Sequence, residues 1–173
     1  LQVVLCRLRR AGLKVNAEKS SFFAPEIEYL GYMLTKDGIK PVQKKVQAVL
    51  DLQPPTTLKQ LRSFLGMVQF YRDMWKRRSH ILAPLTDLVG VGKKKLKWTE
   101  VHQKAFEDIK KVMAKKTILT YPNFNEVFEI HTDASDRQLG AVISQNGKPL
   151  AFYSRKLSGA QRNSLQLSKN YSA

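Results

Sequence analysis

The stretch from Pro54 to Arg78 constrains the fold most, because it combines a clear helix start with a sustained helical period. Thr57 followed by Gln60 has the spacing of a capping box. In that arrangement the hydroxyl accepts a hydrogen bond from a free first-turn N–H, and the glutamine side chain reaches back to the start of the helix. The sequence therefore predicts a helix that begins at Thr57 and continues to Trp75.

One face of this predicted helix is apolar. At about 100° per residue, a single stripe contains Leu58, Leu61, Phe64, Leu65, Val68, Tyr71 and Trp75. This period is typical of a helix that packs its apolar side into a core. We expect the other elements of the chain to pack against it.

The opposite face is predicted to carry Lys59, Arg62, Ser63, Gly66, Gln69, Phe70 and Asp73. A glycine inside a helix lowers helix stability by about 0.8–1 kcal/mol relative to alanine, so the presence of Gly66 requires an explanation. One explanation is the close approach of a ligand or of another backbone. The other is that Gly66 and Phe70 pack against a neighbouring helix, and the residues alone do not choose between them.

The net charge of +16 is the strongest compositional signal, and more than half of it lies between residues 41 and 98. A field of this sign attracts polyanions, of which nucleic acid is the commonest. An anionic membrane surface is the alternative, but the basic residues flank a core-forming helix. We therefore expect a nucleic-acid partner and no membrane.

The other compositional features exclude several classes of protein. An apolar run long enough to span a membrane is absent, and so is a secretory leader, so we expect an intracellular protein, cytoplasmic or nuclear. Cys6 is the only cysteine, and His80, His102 and His131 lack ligand-like spacing, which argues against a disulfide framework or a zinc site. The chain opens inside a predicted helix, so we expect it to be a piece of something longer.

The period along the chain predicts an α+β fold. A basic helical segment ends at Gly12, and short strands broken at Pro25, Gly31 and Asp37-Gly38 form an antiparallel sheet. Pro41 is expected at the first position of the next helix. Helices at 42–52, 57–75 and 100–115 form a bundle, and three β-rich runs follow Tyr121, with a hairpin turn at Asn146-Gly147.

Asp133 is the main candidate for metal chemistry. It ends an alternating strand and is followed by small residues. Two-metal catalysis on phosphodiesters needs several converging carboxylates, whereas only Asp136 lies near in sequence. Spacing alone therefore favours a turn or capping role for Asp133 over a ligand role.

Several motifs in a fixed order resemble one family. They are EKSSFFAPEIEYLGYMLTKDGIKP, PPTTLKQLRSFLGMVQFYR, APLTDL, KWTEVHQKAF, LTYPNF and FEIHTDASDRQLGAVISQ followed by GKPLAFYSRKLSGAQRN. Together they resemble the Pol polyprotein of gypsy-type LTR retrotransposons, from the end of the reverse transcriptase palm through the thumb into RNase H. The resemblance covers nearly the whole chain up to about Asn163. It implies a parent protein that copies RNA into DNA and removes the RNA strand of the hybrid.

The resemblance implies roles for particular residues. The hairpin at Tyr29, Leu30, Gly31 and Tyr32 resembles the primer grip, and the helix from Thr57 resembles the thumb helix that follows the minor groove. Lys59, Arg62, Gly66, Gln69 and Phe70 would then face an RNA–DNA hybrid or DNA duplex. Asp133 resembles the first Mg²⁺-binding aspartate of RNase H. The resemblance therefore favours a ligand role for Asp133 over the turn or capping role that spacing alone favours.

The resemblance also implies an organisation into a palm end with the primer-grip hairpin (1–40), a thumb bundle (41–120) and the start of an RNase H-like mixed sheet (121–173). The polymerase aspartates would lie before Leu1, and the expected RNase H glutamate is missing from SLQLSKNYSA. We therefore expect a fragment of Pol that grips nucleic acid and is inactive alone, with the remainder of the Pol polyprotein as a partner. A non-catalytic or domesticated nucleic-acid-binding module and an unrelated basic structural domain remain alternatives.

Overall fold

A computed structural model describes residues 1–90, 95–115, 117–135, 138–159 and 161. The helices are α1 (Gln2–Arg10), α2 (Gln43–Leu50), α3 (Leu58–Phe70), α4 (Arg78–Leu88) and α5 (Glu100–Ala114), and a short 3-10 turn spans Arg72–Met74. The strands are β1 (Glu26–Tyr29), β2 (Tyr32–Thr35), β3 (Gly38–Pro41), β4 (Glu129–Ala134), β5 (Gln138–Gln145) and β6 (Lys148–Lys156). The α+β prediction is confirmed, with two small antiparallel sheets in the order β1-β2-β3 and β4-β5-β6.

The predicted capping box at the start of α3 is confirmed. The Gln60 backbone N–H donates to Thr57 Oγ1 at 3.2 Å, and the Thr57 N–H donates to Gln60 Oε1 at 3.2 Å. The helix ends at Phe70, earlier than predicted, because the backbone at Tyr71 leaves the helical region and a 3-10 turn follows. Trp75 is nevertheless buried, so the apolar period continues beyond the α-helix itself.

The expected role of Pro41 at the start of a helix is wrong. Pro41 is the last residue of β3 and pairs with Tyr32, and α2 begins two residues later with Val42 as its extended N-cap. Because β3 lies at the edge of its sheet, the missing N–H of proline is tolerated there. The strand predicted before Pro25 is not formed, since Phe22 and Phe23 lie before β1 and are exposed.

The core lies among α2, α3, α4 and α5. Its fully buried members include Leu61, Val68, Met74, Trp75, Leu85, Ile109 and Met113. Leu119 joins this core after α5, and its backbone exchanges two hydrogen bonds with Ile39 at 2.7 and 2.9 Å. The first sheet is thereby fixed to the helical bundle.

The second sheet packs against the helical bundle where β6 meets α4 and the 3-10 turn. The Ser79 backbone N–H at the start of α4 donates to Ser154 Oγ on β6 at 3.1 Å, and the two serine hydroxyls are also hydrogen-bonded to each other. Lys156 on the same strand pairs with Asp87 of α4 at 2.5 Å. These contacts hold the second sheet at a defined place beside the helices.

Candidate nucleic-acid interface

The polar face of α3 is largely exposed to solvent. Lys59, Arg62 and Gln69 are exposed, while Leu61 and Phe64 on the other side are buried. A Cβ added to Gly66 would meet nothing within 4 Å, apart from the backbone of its own helix turn. Packing of Gly66 against a neighbouring helix is therefore wrong for the described residues, and the glycine leaves free space in front of α3.

Phe70 packs against the β1–β2 hairpin, and Lys45 of α2 also approaches its ring. Its ring stacks on Tyr32 with centroids 5.7 Å apart, and its backbone carbonyl accepts a hydrogen bond from the Tyr32 hydroxyl at 3.1 Å. Gly31 lies directly below the ring, since an added Cβ would come within 2.9 Å of Phe70 Cζ. With 47% of Phe70 still exposed, the ring forms a surface shared by hairpin and helix.

The hairpin turn depends on two residues with positive φ, Leu30 at 48° and Gly31 at 83°. This pair of angles belongs to a tight turn of type I′, which fits the twist of antiparallel strands. The Gly31 carbonyl accepts a hydrogen bond from the buried Tyr71 hydroxyl at 2.7 Å. Tyr29 and Leu30 remain 59% and 73% exposed, so the tip of the hairpin is held in place while its own side chains stay accessible.

Burial also affects the two tyrosines behind this turn. Loss of solvent raises the pKa of Tyr32, with a further contribution from the nearby Asp73 carboxylate. Loss of solvent likewise raises the pKa of Tyr71, against a hydrogen bond with the Val42 backbone that lowers it. Both hydroxyls therefore stay neutral donors under physiological conditions.

A groove of about 460 Å³ runs between α2 and α3. It is lined by Lys45, Ala48, Val49, Ser63, Gly66, Met67, Phe70 and Tyr71. The Lys45 ammonium lies 5.2 Å from the centre of the Phe70 ring, a distance that permits a cation–π contact. The α2–α3 groove thus combines an apolar floor, an exposed aromatic ring and a cation.

The sequence did not single out Lys45 or Arg78 as site residues. Both lie in runs of cations, Lys44-Lys45 and Lys76-Arg77-Arg78, and the sequence alone does not indicate which member of each run contacts the site. Arg78 is 8% exposed, and its Nη1 donates to Gln69 Oε1 at 2.5 Å. Gln69, predicted to face nucleic acid, therefore also positions this buried guanidinium.

Asp133 lies on β4 of the second sheet, on a different element from the hairpin and α3. Its carboxylate pairs with Arg77 at 3.8 Å, and both side chains are mostly exposed. A small cleft of about 100 Å³ beside it is lined by residues that include His80, Ser135 and Gln138. Asp136, the other acidic residue considered, lies outside the described residues, as does the tail from Arg162 onward.

The described residues do not form a metal site. Nowhere in the described part of the chain do three His, Cys, Asp or Glu side chains come together as metal ligands. Reverse transcriptase and RNase H-like families generally use divalent metal ions. A single exposed carboxylate that is already paired with an arginine does not supply the several oxygen ligands that Mg²⁺ requires.

Membrane insertion has no support in the helices of the structure. Among the described residues, every helix is too short or too polar to cross a bilayer.

Comparison with known proteins identifies the family. Residues 98–173 match the RNase H-like domain found in reverse transcriptase. The chain is 37% identical to the retrovirus-related Pol polyprotein from transposon opus of Drosophila melanogaster, over 98% of this chain and 18% of that protein. It is 36% identical to the Pol polyprotein from transposon gypsy of the same organism, over 94% of this chain and 17% of that protein. The chain thus spans less than a fifth of the length of these relatives.

A solved structure matches the fold over most of the chain. The foamy viral protease-reverse transcriptase in complex with RNA/DNA hybrid aligns with a TM-score of 0.78 and 25% identity, over 92% of this chain and 22% of that one. The prediction from sequence motifs is confirmed: this chain belongs to the Pol polyproteins of gypsy-type LTR retrotransposons, and it contains an RNase H-like region of the kind found in reverse transcriptase.

Proposed function

We propose that this chain grips the RNA–DNA hybrid or DNA duplex on which a retrotransposon reverse transcriptase works. The observation that carries this proposal is the open polar face of α3, with free space in front of Gly66 and with Lys59 and Arg62 beside it. The wide, shallow minor groove of a hybrid can be contacted by shape and through its backbone. A helix that presents a glycine and flanking cations fits such a groove closely.

The hairpin supplies the second part of the proposed grip. Tyr29, Leu30, Gly31 and Tyr32 form a turn that is fixed to α3 through Phe70 and Tyr71. In our proposal the exposed tip, Tyr29 and Leu30, contacts the primer end, and Gly31 and Tyr32 hold the tip at a fixed distance from α3. The positively charged surface adds attraction for phosphates that is independent of sequence.

The parent Pol protein would carry out RNA-directed DNA synthesis and cleavage of the hybrid's RNA strand inside the cell. We place a palm end at 1–40, a thumb at 41–120 and the start of an RNase H-like domain at 121–173. Exposed apolar side chains on α1 and next to β4, such as Val3 and Val127 at 66% and 82%, suit contacts with the remainder of the Pol polyprotein. Asp133 would become a Mg²⁺ ligand only when further carboxylates join it.

A non-catalytic binding module is the second candidate. The pairing of Asp133 with Arg77 favours it, because a lone paired carboxylate does not catalyse phosphodiester hydrolysis by a two-metal mechanism. Because the chain alone is expected to be inactive in both cases, incubation of the full-length parent protein with a labelled hybrid and Mg²⁺ separates the two candidates. Release of RNA fragments that depends on Asp133 would support an enzyme, and intact RNA in a stable complex would support the binding module.

Binding itself is tested by fluorescence anisotropy with a labelled RNA–DNA hybrid. We expect Arg62→Gln to weaken binding, whereas Lys104→Gln, which removes an exposed cation from α5, should have little effect. Equal loss from both variants would show that only net charge matters. Absence of hybrid binding by the unaltered chain at low salt would overturn the proposed function and favour a structural domain.

A further inference from the structure

A second basic cleft lies where the 3-10 turn and α4 meet β6, and the grip described above does not use it. This junction cleft has a volume of about 530 Å³, and its lining includes Arg72, Asp73, Arg78, Tyr153, Arg155 and Lys156. Four of these six side chains are cations and one is a carboxylate. The cleft is large enough for a phosphate group together with part of a nucleotide.

Arg78 gives the junction cleft an unsatisfied donor. Its side chain is 8% exposed, its Nη1 is bound to the neutral amide of Gln69, and its Nε finds no acceptor among the described residues. Burial lowers the pKa of this guanidinium, although the Asp73 carboxylate acts in the opposite direction. A buried charge without a direct ionic partner is costly, and an anion in the cleft would reduce that cost.

Of the remaining side chains, Arg72, Tyr153 and Arg155 suit a phosphodiester, whereas Asp73, whose carboxylate pairs with Arg72 at 3.4 Å, does not. Arginine presents several N–H donors in a planar fork that matches phosphate oxygens, and Arg72 and Arg155 are both exposed enough to reach a ligand. Tyr153 is 52% exposed, so its ring is available for stacking with a base. Lys156 also lines the cleft, but its ammonium pairs with Asp87.

The junction cleft is continuous with the α3 face. Gln69 is the last polar residue on that face and also lines the cleft. From Lys59 to Gln69 the helix rises by about 15 Å, which corresponds to roughly four phosphates of one strand. A strand that follows α3 would therefore reach the cleft at the end of the helix.

We propose that the junction cleft binds backbone phosphate of the nucleic-acid strand that leaves the α3 face, with Arg72, Arg78 and Arg155 as its donors. The inference rests on the proposed function, because it extends the same duplex beyond the grip. It adds a second contact that couples the helical bundle to the second sheet through one ligand.

The test measures how hybrid affinity depends on salt. Each lost phosphate contact reduces the slope of log K against log salt by about 0.9 on duplex DNA, and somewhat less on single strands. We expect Arg155→Gln and Arg72→Gln each to reduce the slope by about 0.9, the value for one phosphate contact. Lys148→Gln is the matched control, because it removes an exposed cation at the opposite end of the same strand. Circular dichroism and the unfolding midpoint should stay unchanged in all three variants.

The outcomes separate this inference from the proposed function. Suppose that Arg62→Gln weakens hybrid binding, while Arg155→Gln and Arg72→Gln have the same salt slope as Lys148→Gln. The cleft inference is then overturned, and the proposed grip by α3 and the hairpin is retained. If the unaltered chain does not bind the hybrid, both are overturned. A last experiment measures the binding of inorganic phosphate by phosphorus NMR. If phosphate binding depends on Arg155 while Arg155→Gln leaves the salt slope of hybrid binding unchanged, the cleft is a small-anion site. That result would overturn the assignment of the cleft to a nucleic-acid strand.

Discussion

Replacement of Gly31 by alanine tests how the hairpin is fixed to α3. The residue has a φ of 83°, and an added Cβ would lie 2.6 Å from Lys45 Nζ and 2.9 and 3.0 Å from two Phe70 ring carbons. The lysine can swing away at little cost because its end is flexible. The aromatic ring must shift, and it is held by Tyr32 and Tyr71 at centroid distances of 5.7 and 4.9 Å.

The expected magnitude has two parts. The left-handed backbone costs an alanine about 1 kcal/mol relative to glycine. Displacement of Phe70 weakens two aromatic contacts, each worth about 0.5–1.5 kcal/mol beyond burial. We therefore expect Gly31→Ala to lower the free energy of unfolding by about 2–3 kcal/mol.

Gly147→Ala is the matched control. Gly147 occupies the second position of the Asn146-Gly147 turn with a φ of 72°, and an added Cβ there meets nothing within 4 Å. We expect Gly147→Ala to lower the free energy of unfolding only by the backbone contribution, about 1 kcal/mol. Urea unfolding of both variants gives the difference, and in a Phe70→Ala background the cost of Gly31→Ala should fall to that of Gly147→Ala. Equal destabilisation by the two glycine substitutions in the unaltered background would refute the proposed contact with Phe70.

Three further predictions concern the helix cap, the tyrosines and the metal. Thr57→Ala removes the hydroxyl that accepts from Gln60, so we expect urea unfolding to show a loss of about 1 kcal/mol, and no loss would contradict the capping role. The folded-state pKa values of Tyr32 and Tyr71 lie above the ordinary tyrosine value of 10.0. The stability that the two residues contribute is therefore complete below pH 10.0 and is lost as the pH rises through the raised pKa values. An ultraviolet titration should show two tyrosines that ionise at a higher pH in the folded chain than in urea. Identical titration curves for the folded and unfolded chain would contradict this prediction. Millimolar Mg²⁺ should leave the Asp133 carboxyl NMR signal unchanged, whereas a saturable shift would show that a metal site forms.

Local rules in the sequence predicted much of this fold. The capping box at Thr57 and the apolar stripe behind it depend on neighbours within one or two helical turns, and both are present. The Asn146-Gly147 turn is likewise a local signal, since both residues tolerate positive φ. Pro41 was misplaced because proline is compatible both with the first turn of a helix and with an edge strand, and the pairing of β3 with β2 decides between them.

Long-range contacts account for what the sequence could not predict at the candidate site. Phe70 packs on a hairpin that lies 38 residues earlier in the chain, and no period in α3 indicates that partner. The burial of Arg78 beneath Gln69 depends on the left-handed backbone at Arg77, which turns the chain into α4. The ligand role predicted for Asp133 rests only on its motif, because one carboxylate near the end of a strand carries no spacing signal.

The measurement that tests the central claim most directly is hybrid affinity in a size series at Gly66. Because Gly66 lies inside a helix and faces free space, Gly66→Ala and Gly66→Leu should both preserve helix content and stabilise the free chain by up to about 1 kcal/mol. We predict that Gly66→Leu weakens binding of an RNA–DNA hybrid at least tenfold, or about 1.4 kcal/mol, and that Gly66→Ala has a smaller effect. Ala114→Leu, which adds bulk to an exposed position on α5, should leave affinity unchanged. Hybrid binding by Gly66→Leu equal to that of the unaltered chain would contradict the claim that this face of α3 contacts the duplex.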